Sequence, residues 1–326
     1  MTSSATSRPA SAGASAHGAT GAPEHSAAGA TRHSAAGATR HSTTRTPATA
    51  RRGPTFPRLV ASEWVKLTSL RSTLWVTVVT VAVAFAFTYL AANASSGDPG
   101  FVPTRSLPDG VGLSQLGTLV LGVLAGTADF RTGAFRSTFT AAPRRVLVLG
   151  ARTVATAGVA VVVALLTLAA TVLGVLPAAQ SRDMSLDLTA GSTPQVLLGS
   201  GLLLVGMALL GLGLGSLLRR TVPAMVTALA LVFVLPVGIS LGGELSTSPT
   251  ETTAEVEPGP TGLDPVSTVL AFLPGDAAFR MTTTSEDGGV DGAPDLGPWG
   301  GGLVFAGWIL LPLAAAGVRL RTRDVT

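Results

Sequence analysis

The 326-residue chain contains no cysteine, a single lysine and only four histidines. Without cysteine there are no disulfides, no thiolate metal sites and no cysteine nucleophile. The histidines, His17, His25, His33 and His41, all lie in the first 41 residues, so the rest of the chain has no histidine to serve as general base or metal ligand. Lys66 follows Val65, whereas a phosphate-cradling loop of the GxxxxGK[ST] kind needs its lysine directly after glycine. The chain is therefore expected to be no ATPase and no enzyme, and to hold no cofactor or metal of its own.

Charge is also missing, from six apolar stretches: Leu74–Ala92, Val111–Ala128, Thr153–Leu176, Gln195–Leu218, Val222–Leu241 and Trp299–Val318. None contains Asp, Glu, His or Lys, which argues against a proton-coupled carrier, whose relay would sit inside its spans. Serine, threonine and backbone groups leave Na⁺ binding open. Each stretch is close to the roughly 20 residues that a helix rising about 1.5 Å per residue needs to cross about 30 Å of hydrocarbon. With 47% apolar residues and a positive mean hydropathy, the composition agrees with a six-span, all-α integral membrane protein.

What charge there is has been sorted. With the N-terminus placed inside the cell, the inner segments carry 19 Lys and Arg against 4 Asp and Glu, and the outer segments 3 against 14. Basic loops resist translocation, so both termini are expected in the cytoplasm. The second stretch is the weakest, holding Gln115, Thr118 and several glycines. Dropping it would move Arg131, Arg136, Arg144, Arg145 and Arg152 outside, against the charge rule. No nucleic-acid-binding pattern accompanies the basic residues, and no nucleic-acid partner is expected.

Residues 1–57 are rich in Ser, Ala, Thr and Gly and repeat HSAAGATR at His25–Arg32 and His33–Arg40. Too little apolar surface is present to offset the entropy of ordering, so a disordered cytoplasmic tail is expected. Its Arg-rich, acid-poor composition is also that of an organellar transit peptide. Residues 58–73 read as an interfacial amphipathic helix: Val60, Trp64, Leu67 and Leu70 recur on one face, and Ser62, Glu63, Lys66 and Ser69 on the other. Residues 74–318 form the six-span domain with an outer loop at 242–298, and 319–326 a short inner tail. Between spans two and three, Asp129–Arg145 mixes three phenylalanines with four arginines. It reads either as a surface loop that enforces topology or as a short helix presented to a soluble partner, ended by Pro143.

At these places the chain resembles the permease subunits of bacterial ABC-2-type ABC transporters. Glu63, Trp64, Val65, Lys66 and Leu67, followed by Ser69, Leu70, Arg71, Ser72 and Thr73, match the family's opening ahead of its first span. Asp129, Phe130, Arg131, Thr132 and Gly133, then Arg136 and Pro143, Arg144 and Arg145, match its loop between spans two and three. The family usually has Glu where this chain has Asp129, and often Lys where it has Arg152. A looser match is Leu273, Pro274, Gly275, Asp276 and Ala277. The resemblance implies a transporter, expected to be an exporter, in the bacterial cytoplasmic membrane. It implies two permease copies, homodimeric or paralogous, in contact with membrane lipid, and a separate soluble ATPase pair that brings ATP and Mg²⁺. It makes Asp129, Phe130, Arg131, Gly133, Phe135, Arg136, Pro143, Arg144 and Arg145 a cytoplasmic coupling helix. It makes Glu63, Trp64, Lys66, Leu67 and Arg71 part of the interfacial helix, and Val266–Met281, whose alternative reading is an ordinary surface loop, a pair of short outer helices. The rival reading is a membrane anchor or sensor that transports nothing.

Three smaller features complete the reading. Gly122 with Gly126, and Gly211 with Gly215, form GxxxG pairs suited to close helix packing within the chain or across a dimer. Pro236 and Pro312 predict kinks. Gly238-Ile-Ser240-Leu-Gly242 formally matches the hydrolase GxSxG pattern, but follows an apolar span and has no histidine near it.

Overall fold

The computed structural model describes residues 55–132, 145–246, 264–283 and 292–322, all within the unit 52–326. The N-terminal tail up to residue 54, and Gly133, Phe135, Arg136, Pro143 and Arg144 of the expected coupling helix, lie outside the described residues. Every regular element among the described residues is helical. Helix α1 (Phe56–Ser69) meets α2 (Arg71–Ser95) at Leu70, whose extended backbone breaks the pair into an elbow. Helices α3 (Leu107–Thr132), α4 (Arg145–Gln180) and α5 (Thr193–Leu218) follow. Next comes one long rod made of α6 (Thr221–Leu229), a π-helical turn (Ala230–Val234) and α7 (Leu235–Ser246). Two short helices, α8 (Pro265–Ala271) and α9 (Pro274–Phe279), precede α10 (Gly297–Thr322).

Six helical segments are long and apolar enough to cross a membrane: Arg71–Ser95, Pro103–Phe130, Val146–Gln180, Thr193–Leu218, Thr221–Gly243 and Gly297–Arg321. They correspond one to one with the six apolar stretches, and each extends beyond them. The extension matters at α4, which begins eight residues before Thr153 and so draws Arg152 into a span rather than leaving it at an edge.

Burial does not follow hydrophobicity. The stretch that looked weakest as a span, α3, is 61% buried over its most apolar window, against 17% for the more apolar α2, while α5, about as apolar as α2, is 67% buried. Lipid is as apolar as leucine, so small residues decide which helices sit in the middle. The two GxxxG pairs face each other within this chain. A methyl group at Gly126 would come within 2.6 Å of the Leu212 carbonyl oxygen, and one at Gly215 within 2.9 Å of the Val123 oxygen. Gly122 against Ala208 and Gly211 against Leu119 leave less room still. Three buried hydroxyls are satisfied by their own helices: Thr80 donates to the Val76 carbonyl, Thr127 to Val123 and Thr167 to Val163.

The α8–α9 hairpin dips into the bundle. Asp264 caps α8 by accepting from the Ser267 N–H at 2.8 Å, and Val266 packs beside Gly243 at the end of the α6–α7 rod. At the turn, a methyl group on Gly275 would lie 2.9 Å from the Val232 carbonyl oxygen. Val232 lies eleven residues back along that rod, about 16 Å at 1.5 Å per residue. Beside the turn, the Trp308 indole, halfway along α10, donates to the Phe272 carbonyl at 2.8 Å. Pro274 and Gly275 do not break one helix here: they begin the second, with Pro274 in its first turn where a missing N–H costs nothing. The π turn also has a local cause. Pro236 has no N–H to offer the Val232 carbonyl four residues before it, and Gly275 packs against that carbonyl.

Candidate functional site

Helix α1, expected to lie at the membrane interface, is oriented differently from its predicted polar and apolar faces. Glu63, expected on the exposed face, is 5% exposed, whereas Trp64 is 38% exposed. The buried strip runs through Glu63 and Leu67, with Val60 packed against it, and the Trp64 ring lies across Gly158 of α4, 2.6 Å from where a methyl group there would be. Leu67 packs with Leu121 and Ala125 of α3 and with Ala155 and Val159 of α4. A glutamate sits inside this apolar contact because a cation faces it.

That cation is Arg152. Val148, Ala151, Ala155 and Val159 mark the buried face of α4, and Arg152, 7% exposed, falls on the same face. Its Nε donates to Glu63 Oε2 at 3.1 Å and its Nη2 donates to Asp129 Oδ2 at the end of α3. Lys66 Nζ donates to the other Glu63 oxygen at 2.5 Å while remaining half-exposed. Two carboxylates against one guanidinium would bury a net negative charge; Lys66 makes the count even. The planar fork of arginine lets one side chain bridge two acids on different helices, which a lysine point charge does less well. Burial weakens solvent screening, so these bonds are stronger than surface ion pairs, and losing one partner costs correspondingly more.

Further contacts surround this cluster. Arg219, the left-handed C-cap of α5 at φ 59°, holds its guanidinium 5.5 Å from the centre of the Phe130 ring. Thr221 donates to Thr127 at 3.1 Å, tying α6 to α3. Arg319 of α10 donates to the Leu217 carbonyl, one of the carbonyls that the end of α5 leaves without a helical partner.

The structure thus brings Glu63, Lys66, Leu67 and Asp129 together, with Phe130 beside them. Arg71 is exposed at the start of α2, Arg131 lies in the last turn of α3, and Arg145 is the first residue of α4. Sequence reasoning treated Arg152, Arg219 and Arg319 as topology markers or terminal charge and missed their contacts. For Arg152 the signal was present, a lone arginine in register with small residues on a helix face. Among the described residues no group of three His, Asp or Glu side chains could hold a metal, and both carboxylates of the cluster are engaged by cations. Ser240 of the GxSxG pattern lies within α7, where its hydroxyl donates to the Pro236 carbonyl at 3.0 Å, instead of on a strand-to-helix elbow. The arrangement is an electrostatic clamp that joins three helices at one end of the bundle. Compared with known proteins, the chain matches no family model and no curated sequence.

Proposed function

We propose that the chain is the permease subunit of an ABC-2-type exporter in a bacterial cytoplasmic membrane, with both termini in the cytoplasm. It works as one of two permease copies above a separate ATPase pair. The observation that carries this reading is the ion cluster. Asp129 and Arg152 stand on the two helices whose ends flank residues 133–144, and Glu63 ties both to α1. A push on a loop moves transmembrane helices only if its roots are stiff, and a buried three-helix ion bridge supplies that stiffness.

The substitutions relative to the resembled family support the same reading. Where that family usually carries Glu and often Lys, this chain carries the shorter Asp129 and the longer, forked Arg152, and the two are paired. Shortening one partner while lengthening the other preserves the reach of the contact. The charge sorting puts this end of the bundle inside, where a soluble ATPase has access.

The chain purified alone is expected to hydrolyse no ATP. Co-expressed with an ABC ATPase encoded beside it, it is expected to co-purify with that ATPase. Replacing Phe135 and Arg136 together by alanine is expected to lower the recovered ATPase at least about tenfold, the loss of about 1.4 kcal/mol or more of contact energy. Unchanged recovery would reject the docking assignment, and a reconstituted pair that moves nothing across a bilayer would favour the anchor or sensor reading.

A further inference from the structure

We propose that the surface between α4 and α10 holds one anionic phospholipid, with an acyl chain in an apolar groove and the headgroup at Arg321. The groove is open and has a volume of about 460 Å³, within the range of about 300–1,000 Å³ typical of small-ligand sites. Leu149 and Gly150 of α4 line one wall, and Leu310, Leu313 and Gly317 of α10 the other. From Leu310 to Arg321 it runs eleven residues along α10, about 16 Å, the length of much of an extended acyl chain. Two glycines give it depth. A methyl group at Gly150 would meet only the Phe56 ring at 3.8 Å, and one at Gly317 only Leu149 at 3.9 Å, so neither glycine is required by helix contact.

The charge at its mouth selects the occupant. Thr153, the other polar residue lining the groove, donates its hydroxyl to the Leu149 carbonyl at 3.0 Å, which leaves Arg321 as the group able to meet a ligand. The two acids described near this end, Glu63 and Asp129, are buried and already engaged by Arg152. An exposed arginine at the end of an apolar groove in a membrane-crossing helix calls for a phosphate-bearing headgroup with an apolar chain behind it. This inference needs only the membrane assignment and does not depend on transport.

Native mass spectrometry of the full chain, purified in detergent with a defined mixture of phosphatidylglycerol and phosphatidylcholine, tests it. One phosphatidylglycerol per chain is expected to survive detergent exchange. Arg321→Gln is expected to lower the preference over phosphatidylcholine by about fivefold, the weight of one arginine near a headgroup. Gly150→Leu, which fills the groove, is expected to abolish retention while Arg321 is unchanged. Equal retention of the two lipids by the wild type would overturn the headgroup assignment. Equal phosphatidylglycerol retention by the wild type and both variants would overturn the site, as would a change of oligomeric state on filling the groove, which would make a second copy the occupant.

Discussion

The two ends of the bundle are fastened by different physics. At one, Glu63, Asp129 and Arg152 hold α1, α3 and α4 through charge. At the other, the α8–α9 hairpin is seated by backbone on backbone, with glycines 199, 275 and 301 lying against the carbonyls of Met281, Val232 and Ala277. Coulomb attraction falls gradually with distance, and inside the bundle, with little screening, it draws the three helices together. A carbonyl against a glycine Cα tolerates no added atom and holds one distance. The charged end is held by attraction between side chains on three helices, and the hairpin end by the close fit of backbone against backbone.

Breaking the charged end gives the largest expected effect. Arg152→Met leaves Glu63 and Asp129 buried opposite an apolar side chain, a loss of about 3–5 kcal/mol. Adding Glu63→Gln and Asp129→Asn removes the orphaned charges and is expected to restore most of it, since a whole buried ionic cluster is often replaceable while half of one is not. Denaturant titration in micelles, followed by tryptophan fluorescence, reads both. A single variant as stable as the wild type would show that the cluster is hydrated and carries no load.

The hairpin end is expected to fail by steric overlap. Gly199→Val drives a side chain into the Met281 carbonyl and is expected to cost about 1–3 kcal/mol, with faster amide exchange across α9. Gly238→Ala, at a position with nothing within 4 Å, is the control and is expected to gain a few tenths to about 1 kcal/mol of helix propensity. Equal behaviour of the two variants would mean that the hairpin is not seated by that contact.

Much of this contrast was legible in the chain. All six long helices and the helix ahead of them follow from hydropathy and helical spacing, whereas the two short helices were expected only from the family resemblance. The GxxxG pairs announced close packing without saying which helices would meet, because pairing depends on three-dimensional neighbours. The burial of Glu63 was less accessible. On a helical wheel, residues 60, 63, 64 and 67 share one side, and hydrophobicity alone assigns that side to Trp64. Only the presence of Arg152, 89 residues away, rotates the helix so that the acid faces inward. A pattern read along one segment is blind to a partner of that separation. Residues 133–144, on which the docking reading turns, lie outside the described residues.

The smallest expected effect lies where the hairpin meets solvent, and it shows a charge at the end otherwise governed by shape. Asp264 is fully exposed, and its carboxylate accepts from both the backbone N–H and the hydroxyl of Ser267, which hold its pKa below the ordinary value of 3.8. A carboxylate depressed in the folded state contributes fully above its unfolded pKa, and that contribution disappears as the pH falls through the folded value. The cap is therefore expected to be intact from neutral pH down to about 4 and to loosen only below that. Asp264→Ala is expected to raise amide exchange at Ser267 and Thr268 severalfold at pH 7 while leaving α9 unaffected, because α9 is held by glycine contacts. If acid or the substitution loosened α9 as much as α8, the hairpin would be a single electrostatic unit, and the division between a charged end and a packed end would fail.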